Sequence, residues 1–468
     1  MPKKAKNLDK SKPSKSSRKI QTLKGFRDIL PEHQKFWGFI FDKVRKTAED
    51  FSYEKIDTPI IESTKLFERT VGESSDIVSK EMFTFEDKGG DKVTLRPEIT
   101  APVARAYIEH GMLTWPQPVK LWYWGPVFRY DKPQAGRYRQ FYQFGFEVLG
   151  SDSNKVDSQL IIMANNLYKS LGLDIEVQIN SIGCPECRKE YIKELKEFLK
   201  DKKLCTDCKK RLEVNPLRVL DCKETKCQEI LVDAPPILDN LCEPCNKHFV
   251  KVLEGLDDGG VAYVLNPKLV RGLDYYNRTT FEFYLAGEDI GSQNALGGGG
   301  RYDYLVEQLG GRPTPAIGFA SGVERAIIKL KEKDIKIKDE TTADVFVAQL
   351  GEDARQKSLN LFNDLRKQGI KVRQAFAKKG LGDQMEAANR VNAKYTLILG
   401  QKEIMDETII LRDMDSGIQE VIPFEKAIPT IKQRLLSVEG GLKVYSENGN
   451  GNEESKQSID NSKEVIKS

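Results

Sequence analysis

Leu121–Gly150 reads LWYWGPVFRYDKPQAGRYRQFYQFGFEVLG. Its β-branched and aromatic content, broken by a Pro/Gly-bearing polar stretch, predicts two strands joined by a reversal. The strands are expected at about Val119–Tyr130 and Arg137–Leu149, with Asp131–Gly136 (DKPQAG) between them. Side chains alternate between the faces of a strand. On the second strand, one face then carries Arg137, Arg139, Phe141, Gln143, Gly145 and Glu147. The other carries mainly Tyr138, Tyr142, Phe144, Phe146 and Val148 and is expected to be the buried side. Arginine binds phosphate and carboxylate through a planar fork. Arginines, an amide and a carboxylate on one face therefore suggest the floor of a pocket for an anion and a small polar group. The plainer alternative is an ion-paired face turned to solvent.

The run GPVFRYDKPQAGRYRQFYQFGFE resembles motif 2 of class II aminoacyl-tRNA synthetases, and specifically that of the histidyl enzymes. Other segments extend the resemblance. Lys92–Ala106 (KVTLRPEITAPVARA) reads as a short strand, then a helix opened by Glu98 with Thr100 in its first turn. An acid at that position can simply cap the helix. In the family, the matching segment holds the amino group of histidine. Leu269–Thr279 (LVRGLDYYNRT) is too polar for a plain core strand and resembles a segment found in histidyl enzymes but not in class II synthetases generally. Ala295–Asp303 (ALGGGGRYD) has four consecutive glycines, which let backbone approach a ligand, and is read as pocket wall. Ala316–Leu330 (AIGFASGVERAIIKL) resembles motif 3, with Arg325 near the start of its helix. Towards the N-terminus, a helix is expected at about Glu32–Phe51, with Phe36, Ile40, Val44 and Ala48 at steps of four. A strand at Tyr53–Ile61, interrupted by Pro59, follows it. That pair resembles motif 1, which implies a homodimer.

Between Cys184 and Cys245 the composition changes, and all eight cysteines fall there. They pair as Cys184/Cys187, Cys205/Cys208, Cys222/Cys227 and Cys242/Cys245. Two thiolates at Cys-x-x-Cys spacing reach one tetrahedral zinc. Two four-thiolate zinc sites, one zinc with spare thiols, reduced cysteines and disulfides are all compatible with the spacing. The family's chemistry requires no zinc. The surrounding segment, about 184–258, is charged and helical and resembles the insertion of histidyl enzymes that packs over the tRNA acceptor stem.

Composition narrows the rest. The chain has 468 residues, enough for two or three domains, 31% charged residues and a net charge of only +4, so charge alone does not announce nucleic acid. No apolar run approaches the ~20 residues that span a bilayer, and the basic start (MPKKAKNLDKSKPSKSSRK) lacks the apolar core of a secretory signal. The expected compartment is the cytoplasm. Only three histidines occur, none in a metal or triad pattern, so the chemistry must rest on Arg, Glu, Tyr and the substrates. Strand–helix alternation after Ala343 predicts an α/β layer, similar to the anticodon-binding domain of related synthetases. The expected organisation is a disordered basic arm (1–20), a class II catalytic domain (21–335), an anticodon-binding α/β domain (342–438) and a disordered tail (439–468). In fold class this is an α+β catalytic domain, an antiparallel sheet flanked by helices, with a cysteine-rich, largely helical insertion and a C-terminal α/β domain.

The resemblance implies ATP-dependent charging of tRNA(His) with L-histidine through a histidyl-adenylate, with Mg²⁺ accompanying ATP. It implies that Arg129 holds the α-phosphate, and that Arg137 and Arg325 hold the outer phosphates and adenine end. Arg271 would bridge the histidine carboxylate and the α-phosphate. Glu98, Thr100 and Gln143 would fix the backbone groups of the amino acid; Glu147 and Tyr276, with Tyr275 beside them, would bind the imidazole. Gln134 would lie in the loop that meets the acceptor end. A histidine-binding regulatory paralogue shares the fold, but such paralogues usually lack the C-terminal domain and the ATP-holding arginines that this chain has.

Overall fold

The structure is a computed structural model that describes residues 19–72, 75, 77–133, 136–287, 295–337, 342–376 and 380–439. The expected basic arm up to residue 18, Gln134 and the tail from 440 onward lie outside the described residues. The chain divides into two compact units, Met1–Lys338 and Asp339–Ser468.

The hairpin that opens the reading lies near one edge of an eight-stranded sheet. In spatial order the strands are Glu54–Lys55, Val119–Phe128, Gln140–Leu149, Ala316–Gly322, Gly297–Arg301, Asn277–Leu285, Ile175–Ser181 and Tyr263–Leu265. The inner six are antiparallel and both edge strands pair in parallel. Phe144, Phe146 and Val148 face a core with Phe281, Phe283 and Phe319. The rings of Phe146 and Phe319 stack with centroids 5.5 Å apart. Each such ring, fully buried, contributes on the order of 1.5–3 kcal/mol.

Among the described residues, four helices cover that face, one of them Val323–Glu332, which buries Val323, Ala326, Ile327 and Leu330. Gln34–Asp50 presents Trp37, Ile40, Val44 and Ala48 to the core. Asn154–Ser170 starts at Ser153, whose side chain accepts from the Lys155 N–H, and Glu243–Asp258 buries Phe249, Val252 and Leu256. The opposite face holds a second core, built from the helix Thr100–Glu109 and from the insertion, with Tyr123, Tyr191, Leu195 and Tyr302 inside it.

Several boundaries differ from the expectations. The hairpin strands stop at Phe128 and resume at Gln140, so the turn is longer than Asp131–Gly136. The strand expected at Tyr53–Ile61 is split around Pro59: Glu54–Lys55 joins the large sheet and Ile61–Ser63 a separate three-stranded one. The four glycines read as pocket wall form a central strand, whose Gly297 and Gly298 line the cavity, and Arg301 at its end turns into the core. There Arg301 is fully buried against Asp157 and Asp303.

In the second unit, the strands Val372–Gln374, Val345–Gln349 and Tyr395–Leu399 run parallel, with Thr408–Asp413 and Gln419–Pro423 antiparallel beside them. The helices Glu352–Lys367 and Ala427–Glu439 cover the Val345–Val347–Leu397 core. The last helix was not expected; Pro429 in its first turn weakened the pattern, although proline is tolerated there.

Candidate active site

Glu147 lies on the second hairpin strand and is completely buried. Thr100 Oγ1 donates to Glu147 Oε1 at 2.8 Å and Tyr123 Oη at 3.3 Å, while Tyr302 Oη donates to Oε2 at 2.6 Å. The space exists because residue 318, opposite Glu147 in the sheet, is glycine: a Cβ there would stand 1.5 Å from Oε2. Burial pushes the Glu147 carboxyl up to about 8, against the pull of the hydroxyl donors.

Glu98 does cap its helix. Its oxygens accept from Thr100 N–H at 2.7 Å and Ala101 N–H at 2.9 Å. Burial pushes it up to about 6 although both backbone donors oppose the shift. Tyr275 and Tyr276 lie with ring centroids 4.7 Å apart, and Tyr275 meets Tyr302 edge-on.

Above this layer is a cavity of about 540 Å³ lined by Glu98, Thr100, Gln143, Tyr275 and Tyr276, and by Arg129, Arg137, Arg271 and Arg325. Residues spread over some 230 positions of the sequence thus share one space. Glu147 is not on the cavity surface; it lies one layer below, reached through Thr100 and Tyr123. Arg139, from the same predicted face, is not in the cavity lining: its guanidinium stands 3.6 Å from the Tyr130 ring centroid.

The arginines are held from behind. Arg129 Nε donates to Pro97 O at 2.9 Å and Arg325 Nη1 to Ala295 O at 2.6 Å. Arg137 pairs with Asp131 at 2.9 Å. Arg271 forms an ion pair with Glu282, and its buried Nε has no hydrogen-bond partner among the described residues. Burial works against the Arg271 charge, but Glu282 and the neighbouring tyrosines outweigh it. Arg325 is pushed the other way, by burial and then by Arg137 and Arg129. Gly298 lets Arg271 approach the sheet, since a Cβ there would stand 2.8 Å from Nη1.

The sequence reading gave no role to Tyr123, Tyr302 or Glu282. A signal for Tyr123 was available: Gly145 is its partner across the hairpin, and glycine opposite a tyrosine marks room left for a ring. Glu282 lies three positions beyond the quoted Leu269–Thr279 run.

The insertion forms one wall. Arg218 Nη1 donates to the carbonyl of Arg271 at 3.1 Å, and Asn215 Nδ2 to Asp274 Oδ1 at 2.9 Å. The eight cysteines gather into two quartets, Cys184/Cys187/Cys242/Cys245 and Cys205/Cys208/Cys222/Cys227. In each, every sulfur lies within 4.8 Å of the others. Among the described residues, no helix is long and apolar enough to cross a membrane.

Residues 25–326 match the family described as histidyl-tRNA synthetase, and 344–434 match an anticodon-binding domain. A histidine–tRNA ligase of Dehalococcoides mccartyi is 48% identical over 418 residues, 89% of this chain and all of the relative. One from Desulfitobacterium hafniense is 46% identical over 434 residues, 92% of this chain and again all of the relative. Among solved structures, apo histidyl-tRNA synthetase of S. aureus is similar with a TM-score of 0.75 and 37% identity, covering 88% of this chain and 100% of that one.

Proposed function

The chain belongs to the histidyl-tRNA synthetase family, and we propose that it attaches L-histidine to tRNA(His) in two steps through a histidyl-adenylate. In the first step, a histidine carboxylate oxygen attacks the α-phosphorus of ATP in line. An O–P bond forms, the bond to the β-phosphate bridging oxygen breaks, and pyrophosphate leaves. In the second, a terminal ribose hydroxyl of tRNA attacks the activated carbonyl and AMP leaves. The observation that carries this reading is the convergence of four arginines in one cavity above a buried carboxylate–hydroxyl cluster.

Both steps are positioning and charge stabilisation, which suits a site without a histidine base. Arg129 takes the α-phosphate, with Phe141 under its guanidinium at 5.5 Å from the ring centroid. Arg271 bridges the histidine carboxylate and the α-phosphate, exchanging part of its pairing with Glu282 for the ligand. Arg137 and Arg325, in the same cavity lining, take the outer phosphates and adenine. Glu98, its charge set against burial, receives the histidine ammonium while its oxygens keep the backbone cap, and Thr100 and Gln143 complete the amino-acid contacts. The imidazole goes to Tyr276 and Glu147, with Tyr275 beside them; its N–H displaces one of the hydroxyls now held by Glu147. Mg²⁺ enters with ATP: the carboxylate of Glu282 is the class of hard oxygen donor it takes, and it would supply neutralisation of phosphate charge.

The tRNA is assigned to the insertion and to the second unit, with Gln134 at its acceptor end; the corresponding domain limits are 21–335, with the insertion at 184–258, and 342–438. A homodimer through the motif 1 region is supported by the exposure of Ile60 and Ile61. The cytoplasm is the proposed compartment.

The test is ATP–pyrophosphate exchange with each standard amino acid in turn. Exchange with histidine alone is expected. Histidine binding without exchange would move the chain to a regulatory role, and exchange with another amino acid would overturn the pocket assignment.

A further inference from the structure

We propose that the insertion holds two structural zinc ions, one in each cysteine quartet. Four sulfurs placed about 2.3 Å from a central ion form a tetrahedron with edges of about 3.8 Å. The separations within the quartets match that edge: Cys184–Cys187 is 3.5 Å, Cys184–Cys242 is 3.9 Å and Cys205–Cys222 is 3.9 Å. A disulfide would bring two sulfurs to about 2.05 Å, and all eight cysteines are free. No sulfur is left over from the two groups, which accidental clustering of small buried side chains does not produce.

The backbone is also arranged for thiolate rather than thiol. Cys242 N–H points at Cys187 Sγ at 3.1 Å, Cys205 N–H at Cys227 Sγ at 3.3 Å, and Cys208 N–H at Cys205 Sγ at 3.4 Å. Such donors orient and partly neutralise metal-bound sulfur. Tetrahedral four-thiolate sites select zinc or iron–sulfur chemistry. Every position here is filled by protein sulfur, leaving no place for substrate, so the ions are structural.

Each quartet closes a different part of the insertion. The first joins its two ends, where the helices Pro185–Leu199 and Glu243–Asp258 begin, and spans 58 positions of sequence. Fixing both ends across that span replaces the loop-closure cost the segment would otherwise carry. The second ties the start of the helix Thr206–Val214 to the helix Thr225–Ile230 and to Cys222. The short turn Pro216–Val219 between them carries Arg218, whose bond to the Arg271 carbonyl joins insertion to cavity. The insertion, rich in lysine and glutamate, thereby gains two fixed points beside the apolar core it shares with the sheet.

The experiment is elemental analysis of the full chain purified without chelator, together with Co²⁺ substitution. About two zinc per chain is expected, with intense d–d absorption and sulfur-to-cobalt charge transfer for two Co²⁺ per chain. Cys187→Ser and Cys208→Ser should each bring the zinc content to about one. Zinc below roughly 0.2 per chain, iron in place of zinc, or a cobalt spectrum lacking four-thiolate character would overturn the proposal. So would about one zinc in the wild type. Where a variant fails to fold, the wild-type zinc count and the cobalt spectrum decide by themselves.

Discussion

The two ends of the cavity are built on opposite principles. At the deep end, Glu147 is already satisfied: Thr100, Tyr123 and Tyr302 supply hydrogen bonds to both its oxygens. At the open end, four arginines share the space; Arg271 pairs directly with Glu282 and Arg137 with Asp131, and further carboxylates stand in the same lining. Burial and the mutual repulsion of its neighbours already disfavour the charge of Arg325. A ligand at the deep end must replace a partner, so it gains little affinity but is selected strictly, because a wrong ring leaves buried polar groups unpaired. An anion at the open end relieves repulsion, so binding and transition-state stabilisation concentrate there. On the proposed function, specificity and rate would thus be carried by different residues.

The largest effect is expected from the open end. Arg271→Ala should lower adenylation by roughly a hundredfold or more, the range for removing one preorganised charge contact, while far-UV circular dichroism and thermal unfolding stay near wild type. Near-normal turnover would break the division between the two ends. Glu147→Gln should act in the other direction: its main effect is a KM for histidine raised roughly tenfold to a hundredfold, the span for disturbing a buried hydrogen-bonded group, with kcat changed less. Equal losses in kcat and KM would mean that the deep end also serves the transition state.

This division was only partly legible in the sequence. The four arginines could be read because the segments that carry them, as in VFRYD and LVRGLD, resemble those of a known family. Glu147 could be read as well, but not its depth. Strand alternation placed it on a face shared with Arg137, and only the packing of the helix Thr100–Glu109 and the insertion over that face, with Gly318 on the adjacent strand leaving room, shows it enclosed. Tyr302 was out of reach for the same reason. It follows a glycine run read as pocket wall, and its partner lies 155 positions earlier. The fold fared better where a local signal suffices, as with the apolar steps of the helix Gln34–Asp50. It fared worse where sheet pairing decides, as at Pro59, where one expected strand is divided between two sheets. The cysteine spacing gave the pairs, but the assembly of pairs into quartets is a property of the folded insertion.

The carboxyl at the deep end makes the contrast testable by pH. Glu147 sits at about 8 in the ligand-free protein. To accept an N–H from neutral imidazole it must be ionised, so ligand binding favours the form that lower pH depletes. The KM for histidine should therefore fall as pH rises from about 7 towards 8 and then level, and Glu147→Gln should remove this slope while leaving that of ATP alone. A slope that survives the substitution would place the titrating group elsewhere, with Glu98, at about 6, the next group to examine.

The smallest effect sharpens the comparison most. Tyr302→Phe removes the shortest of the donors to Glu147, 2.6 Å from Oε2, and keeps the ring that packs edge-on against Tyr275. A single hydrogen bond of this kind contributes about 0.5–1.5 kcal/mol net, so the KM for histidine should change by roughly two- to tenfold, with the KM for ATP unmoved. The direction is informative. If the tyrosine only stabilises the carboxylate, its loss weakens histidine binding and moves the pH slope upward, since an ionised Glu147 is then harder to sustain. If instead the imidazole displaces Tyr302 itself, the variant has one competitor fewer and binds histidine more tightly. Either result keeps the exchange of partners at Glu147; an unchanged KM together with an unchanged pH slope would show that histidine does not reach this carboxylate at all.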